Sequence, residues 1–144
     1  MCTELHVNKH LTNAELDIIK SFGSEEAPVI FAIVGDVSAE GKYSRSTIAV
    51  TSSEIIVDLD NSGDNVERIN FSDIEKLYAK RMYGNAFIRA KMKDEDKPRN
   101  VFRYTFSIAQ LCDSLILFVN NVRGGDDLDA QIEAIAATYE KQLS

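Results

Sequence analysis

Tryptophan is absent from this chain, and cysteine, histidine and proline each occur only twice. Two cysteines, Cys2 and Cys112, are too few for a disulfide framework and favour a reducing compartment. A nucleophile triad needs a histidine near a serine or cysteine, but both histidines, His6 and His10, belong to the leading segment. We therefore expect no catalytic residues and no enzymatic activity.

Long apolar runs are also missing. Runs such as Leu115 to Val119 fall far short of the ~20 residues that a membrane-spanning helix needs. The first residues lack the basic start and apolar core of a secretion signal. These features predict a cytoplasmic protein and leave peripheral association with the inner face of the membrane open.

Positive charge is scarce and unevenly distributed. The net charge is −7, with 16 Lys and Arg against 23 Asp and Glu. The balance is −9 over residues 1–75, +6 over residues 76–103 and −4 over residues 104–144. Because a concentrated charge creates a local field that the net charge conceals, residues 76–103 are the first candidates for a binding surface.

The apolar pattern predicts one helix followed by seven strands. Thr12 and Glu15 form a capping box, so a short helix should begin there and end near Phe22, before Gly23. Seven runs with strand-type composition follow: Val29 to Val37, Ser44 to Thr51, Glu54 to Asp60, Val66 to Phe71, Ile74 to Met82, Ala86 to Lys93 and Arg99 to Phe106. Their links are short, which predicts antiparallel neighbours.

The helical period returns at Ser107, which forms a second capping box with Gln110. An apolar stripe predicts a helix ending at Arg123, and a last helix should run from Asp127 to about Leu143. The predicted fold class is mainly β with helices (α+β). Its predicted form is a seven-stranded antiparallel bent sheet or barrel, capped by the amphipathic helix and joined by a short N-terminal and an extra C-terminal helix.

Two segments carry a family resemblance, VIFAIVGDVSAEGKYSRSTIAVTSSEIIVDLD and VFRYTFSIAQLCDSLILFVNNV. They resemble a bacterial pleckstrin-homology-like (PH-like) domain at the N-terminus of ABC transporters that fuse permease and ATPase. The matching positions are Asp36, Gly41, Tyr43, Thr51, Arg103, Tyr104 and Thr105.

The resemblance covers about residues 12–123 and divides the chain accordingly. It implies an N-terminal segment at 1–11, a PH-like domain at 12–123 and a C-terminal helix or tether at 124–144. It also implies a non-catalytic regulatory role in the cytosol. The chain has no GxxxxGK[ST] loop for ATP, so any transport machinery would lie elsewhere.

Strand alternation gathers the basic residues on one surface. If Ile88 and Ala90 face the core, the intervening residues face outwards, and Phe102, Tyr104 and Phe106 face inwards from the next strand. Tyr78, Phe87 and Val101 should then lie among the outward cations. The predicted binding residues are Lys76, Lys80, Arg89, Lys91, Lys93, Arg99 and Arg103.

Several anionic groups could neutralise such a surface. One alternative is intramolecular, the acidic residues of the first or last helix. Another is a protein partner: an acidic protein, the remainder of a transporter or a second copy of the chain. An anionic lipid or small anion is a further alternative. Nucleic acid is not expected, because the glycine-flanked aromatic signature of an RNA-binding sheet is missing. We expect docking of an acidic protein partner.

Two metal-like patterns are present. Cys2, His6 and His10 have helical spacing, but a fourth zinc ligand is not evident. Asp58 to Asp64 starts like a calcium loop, yet Ile69 stands where the bidentate glutamate is required. We predict neither a metal site nor a cofactor.

Overall fold

The computed structural model describes residues 6–7, 11–37, 43–58, 66–82 and 85–143. The strands are β1 (His6–Val7), β2 (Phe31–Val37), β3 (Tyr43–Val50), β4 (Glu54–Asp58), β5 (Val66–Asn70), β6 (Ile74–Met82), β7 (Asn85–Met92) and β8 (Arg99–Thr105). The helices are α1 (Asn13–Lys20), α2 (Ala109–Arg123) and α3 (Leu128–Leu143). Two 3₁₀ turns, Phe71–Asp73 and Phe106–Ile108, precede β6 and α2.

All seven predicted strands are present as β2 to β8, with their ends close to the predicted ones. The additional strand β1 pairs in parallel with β2, His6 opposite Phe31 and Val7 opposite Ala32. Strand β1 has only two residues, which is too short to show the alternation of apolar and polar residues that marks a strand. The sequence pattern therefore did not predict it.

The strands form two sheets, and together with the three helices they make an α+β fold. One sheet has the order β1-β2-β3-β4-β5 and the other the order β6-β7-β8. The predicted single seven-stranded bent sheet or barrel is therefore not what the described residues show, because their strands are divided between two sheets. A 3₁₀ turn separates β5 from β6, and the Phe71 N–H at its start donates to the Ser53 carbonyl at 2.9 Å, which extends the β4–β5 register by one pair.

Both faces of the central strands β2, β3 and β4 carry buried residues. Ile33, Ile48 and Val57 lie in the main core, which extends to the three-stranded sheet and α2. The alternate residues of the same strands pack on the other side in a second cluster with Ile19 and Phe22. Helix α1 therefore covers the outer face of the five-stranded sheet.

The two predicted capping boxes have different outcomes. The first is confirmed: Glu15 N donates to Thr12 Oγ1 at 3.2 Å, and Thr12 N donates to Glu15 Oε1 at 3.2 Å. The second is wrong, because a 3₁₀ turn leads into α2 and Ile108 occupies the N-cap position without a side-chain cap. The predicted end of α2 is confirmed, with Gly124 as C-cap and a positive φ of 93° at Gly125.

Helix α2 packs against the main core. Its buried residues are Leu111, Cys112, Leu115, Phe118 and Val119. Helix α3 packs against it through buried Ile135, and Asn121 Nδ2 donates to Gln131 Oε1 at 2.9 Å. None of the described helices combines the length and apolarity needed to cross a bilayer.

Candidate binding surface on the three-stranded sheet

The register of β6, β7 and β8 gathers basic residues on the outer face of the three-stranded sheet. Opposed residues of an antiparallel pair share a face, and Lys76 is opposite Lys91, Tyr78 opposite Arg89 and Phe87 opposite Arg103. We call this surface the basic face. It comprises Lys76, Tyr78, Lys80, Phe87, Arg89, Lys91, Asn100 and Arg103. The alternate residues of β7, Ile88 and Ala90, are buried in the core as predicted.

Two aromatic rings lie beneath cations on this face. Lys76 Nζ is 5.2 Å from the ring centroid of Tyr78, and Arg103 Cζ is 5.3 Å from that of Phe87. Each contact of this type is worth about 0.5–1 kcal/mol at an exposed site. Phe87 belongs to the outer face but is only 9% exposed. The face therefore presents cations above covered aromatic rings.

The remaining cations differ in how far they are neutralised. Arg89 Nε donates to Asn100 Oδ1 at 2.8 Å, which orients the guanidinium without removing its charge. Lys91 Nζ is 3.2 Å from Glu75 Oε2 and also donates to the Met92 and Glu95 carbonyls. Glu75 comes from the irregular start of β6, where the register shifts between Ile74 and Lys76. The Lys91 charge is thus partly neutralised within the chain.

Arg99 does not join the basic face, so this prediction is wrong. The register changes from Ile88 opposite Phe102 to Arg89 opposite Asn100, which leaves Val101 as an extra residue in β8. This bulge reverses the alternation beyond it and places Arg99 opposite Ala90. The same bulge brings Asn100 to the basic face. No local sequence signal marked it.

The guanidinium of Arg99 is committed to intramolecular ion pairs. Arg99 Nη2 is 2.6 Å from Glu95 Oε2, and Nη1 is 3.3 Å from Glu67 Oε1 on β5. The hydrogen bond from Arg99 lowers the pKa of Glu95, and the same hydrogen bond raises the pKa of Arg99. Arg99 therefore connects the two sheets.

Two further orientation predictions are corrected, and Lys93 takes a separate position. Lys93 is exposed and lies just beyond the end of β7, where its N–H donates to the Asp73 carbonyl at 2.9 Å and the residue lines a cavity. Val101 was expected outside but is only 5% exposed, because of the bulge. Phe106 was expected inside but is 52% exposed, because β8 ends at Thr105 and a 3₁₀ turn begins.

The acidic helices pack on other parts of the fold: α1 on the five-stranded sheet and α3 on α2. Ion pairs among the described residues include Arg68–Glu54, Lys91–Glu75, Arg99–Glu67 and Arg99–Glu95. None of these four pairs uses an acid from α1 or α3.

The two metal-like sequence patterns lie only partly within the described residues. His6 lies in a strand rather than a helix, while Cys2 and His10 lie outside the described residues. Residues 59–64 of the calcium-like loop also lie outside them. Across the described ranges, no three His, Cys, Asp or Glu residues are grouped as a metal site requires.

Comparisons with known proteins were made with the whole chain. No protein-family model, curated protein or solved structure gives a significant match. The function is therefore argued from the chemistry of the basic face and from the resemblance in the two sequence segments.

Proposed function

We propose that this chain is a non-catalytic interaction or regulatory module that docks an acidic protein segment on the basic face. The observation that carries the proposal is the register that aligns Lys76, Lys80, Arg89, Lys91 and Arg103 on one face of a chain with net charge −7. Of the described positions that the register assigns to this face, none is acidic.

Repulsion within the face favours an anionic neighbour. Lys76 and Lys91 are directly opposed, and like charges in that arrangement cost roughly 0.2–1 kcal/mol. Glu75 reduces this cost at Lys91, but no ion pair with a described acid is found for Lys76, Lys80 or Arg89. Carboxylates from a partner would relieve the repulsion and form charge-assisted hydrogen bonds.

The fold supports a PH-like assignment as part of the proposal. The meander β2 to β5, the second meander β6 to β8 and the helix α2 over the core follow the same order as in that family. The two matching segments cover β2 to β4 and β8 to α2.

The biological context that we propose is the N-terminal cytosolic domain of a bacterial ABC transporter. The docked segment would then belong to the remainder of the transporter or to an acidic regulatory protein. Reading the gene beyond Ser144 tests this context. Membrane-spanning runs followed by an ATP-binding loop would support it, and a stop codon would contradict it.

The test of docking uses a fluorescent Glu-rich peptide and two matched double variants. Lys76→Glu with Lys80→Glu changes two exposed lysines on the basic face, and Lys20→Glu with Lys97→Glu makes the same charge change in α1 and in the β7–β8 turn. We expect the first pair to weaken binding by about tenfold or more, because hydrogen bonds to charged groups are lost. The second pair should change affinity much less.

The salt dependence and the outcome that contradicts docking follow from the same titrations. Wild-type binding should weaken as salt rises, because solvent-exposed charges are screened. Equal losses for both double variants would show that only net charge matters, and would contradict docking on this face. Peptide-independent dimers abolished by the Lys76 and Lys80 changes would identify a second copy as the acidic partner.

An anionic membrane surface is the second candidate, and exposed Phe106 favours it. This ring follows Thr105, the residue that ends β8 opposite Asn85, and lies near Arg103 in the chain. A basic surface next to an exposed aromatic ring suits the interface of an acidic bilayer. Stronger binding to phosphatidylserine vesicles than to the peptide, lost in Phe106→Ala, would favour lipid over protein.

A further inference from the structure

A second positively charged site lies at the junction of the two sheets, beyond the end of β7. The cavity there has a volume of about 400 Å³ and is formed by the β3–β4 turn, the 3₁₀ turn before β6, the end of β7 and the end of α2. Its lining residues are Ser52, Ser53, Asn70, Phe71, Ser72, Lys93, Val122 and Arg123. None of the described lining residues is acidic.

The walls of this cavity are held by hydrogen bonds between segments distant in sequence. Phe71 N donates to the Ser53 carbonyl at 2.9 Å, and Lys93 N donates to the Asp73 carbonyl at 2.9 Å. On the third side, Arg123 Nη2 donates to the Glu75 carbonyl at 3.0 Å and to the Ile74 carbonyl. The cavity is therefore part of the folded framework.

The two cations of the cavity are arranged differently. The Arg123 guanidinium is positioned by its backbone contacts and by Asn120 Oδ1, which accepts from Nη1 at 3.0 Å. The Lys93 side chain is exposed, and neither cation forms an ion pair with a described acid. Two positive charges therefore line the cavity without an ion pair to a described acid, and the Lys93 ammonium is the more accessible of the two.

We propose that this cavity binds a small organic phosphate. Two cations match the near-double negative charge of a phosphate monoester at neutral pH, and the hydroxyls of Ser52, Ser53 and Ser72 supply further donors for its oxygens. Phe71 and Val122 offer apolar contact to the organic part. The volume lies within the ~300–1,000 Å³ range of ligand sites and exceeds what phosphate alone fills.

The test titrates the whole chain with phenyl phosphate, inorganic phosphate and benzoate, followed by amide NMR shifts and calorimetry. We expect phenyl phosphate to bind most tightly, because it combines the dianion with an apolar ring. Its binding should shift the amide signals of Ser53, Ser72 and Lys93. Benzoate carries a single charge and should bind more weakly.

The decisive variant is Lys93→Gln, compared with Lys97→Gln in the following turn. Removing the Lys93 charge should weaken phenyl phosphate binding by about tenfold, whereas Lys97→Gln should change it little. The unfolding midpoint of each variant is measured alongside, to show that both variants remain folded. Arg123 is left unchanged because its contacts with the Ile74 and Glu75 carbonyls support the fold. These two variants differ in position but not in charge.

Two results would overturn the inference. One is the absence of amide shifts around the cavity at millimolar phenyl phosphate. The other is an equal loss of affinity in both lysine variants, which would show nonspecific attraction. The peptide titration and the phosphate titration are separate measurements on the wild-type chain, so failure of either site leaves the other result intact.

Discussion

Gly35 shows how one missing side chain allows the two sheets to approach. A Cβ at this position would lie 3.0 Å from Phe102 Cζ and 3.4 Å from Ser46 Oγ. Phe102 is a fully buried residue of β8, and β8 packs near β2. Glycine at this position therefore leaves room for the Phe102 ring, and no unusual backbone angle is involved.

We predict that Gly35→Ala lowers the free energy of unfolding by about 1–3 kcal/mol, because the methyl group overpacks the core. Combining it with Phe102→Leu should cost less than the sum of the two single changes, since the shorter side chain leaves room for the methyl. Urea unfolding of the four proteins measures this. Strict additivity would show that Gly35 and Phe102 are not in conflict.

Tyr104 and Cys112 carry buried ionisable groups between β8 and α2. Burial raises the pKa of Tyr104 from 10.0 to about 12, with smaller contributions from Cys112 and Asp113. Burial also raises the pKa of the Cys112 thiol. Both groups stay neutral in the folded chain at a pH where the unfolded chain ionises them.

The sign of the pH dependence follows from these raised values. The stabilisation is fully present below the unfolded pKa and is lost as pH rises from about 10 towards about 12 at Tyr104. We expect a total loss of about 3 kcal/mol from this group, because its pKa rises from 10.0 to about 12 and each pKa unit corresponds to about 1.36 kcal/mol. Urea unfolding between about pH 9 and pH 11 measures the slope over the first part of this range. Tyr104→Phe should reduce the slope, leaving the contribution of Cys112, and an unchanged slope would contradict the assignment.

At the scale of elements, the edge of β6 is covered by side chains of α2. Strand β6 ends the three-stranded sheet and so exposes carbonyls that no neighbouring strand pairs. Asn120 Nδ2 donates to the Leu77 carbonyl at 3.0 Å, and Arg123 reaches the carbonyls of Ile74 and Glu75. The helix thus closes an edge that another chain would otherwise extend.

We predict that Asn120→Ala lowers the free energy of unfolding by about 1–3 kcal/mol, because the Leu77 carbonyl loses its partner in a partly buried place. Asn121→Ala is the matched control on the same helix. The Asn121 side-chain amide donates a hydrogen bond to the Gln131 side chain, which can form a hydrogen bond with water when Asn121 is removed. Chemical unfolding compares the two, and an equal cost would show that the strand edge does not depend on Asn120.

The bulge in β8 is the second feature at the scale of elements. One extra residue at Val101 removes Arg99 from the basic face and adds Asn100 to it. Asn100 then supplies the Oδ1 that orients Arg89. A bulge therefore determines both the membership and the geometry of the proposed binding surface.

At the scale of the molecule, charge is separated between the outer faces of the two sheets. Helix α1, with Glu15 and Asp17, covers the outer face of the five-stranded sheet, while the basic face is the outer face of the other. The core lies between them. On the proposed function, such a polarised field would steer an acidic partner towards the basic face even though the net charge is −7.

The sequence by itself determined strands β2 to β8, the α1 cap and the end of α2, because hydrophobic period, capping residues and glycine act over a few neighbouring residues. It also placed Lys76, Lys80, Arg89, Lys91 and Arg103 on one face, because regular alternation holds along most of β6 and β7 and at the end of β8. Only the tertiary structure decided strand β1, the division into two sheets, the position of Arg99, and the cavity. These depend on bulges and on hydrogen bonds between distant segments, whose energies no local pattern contains.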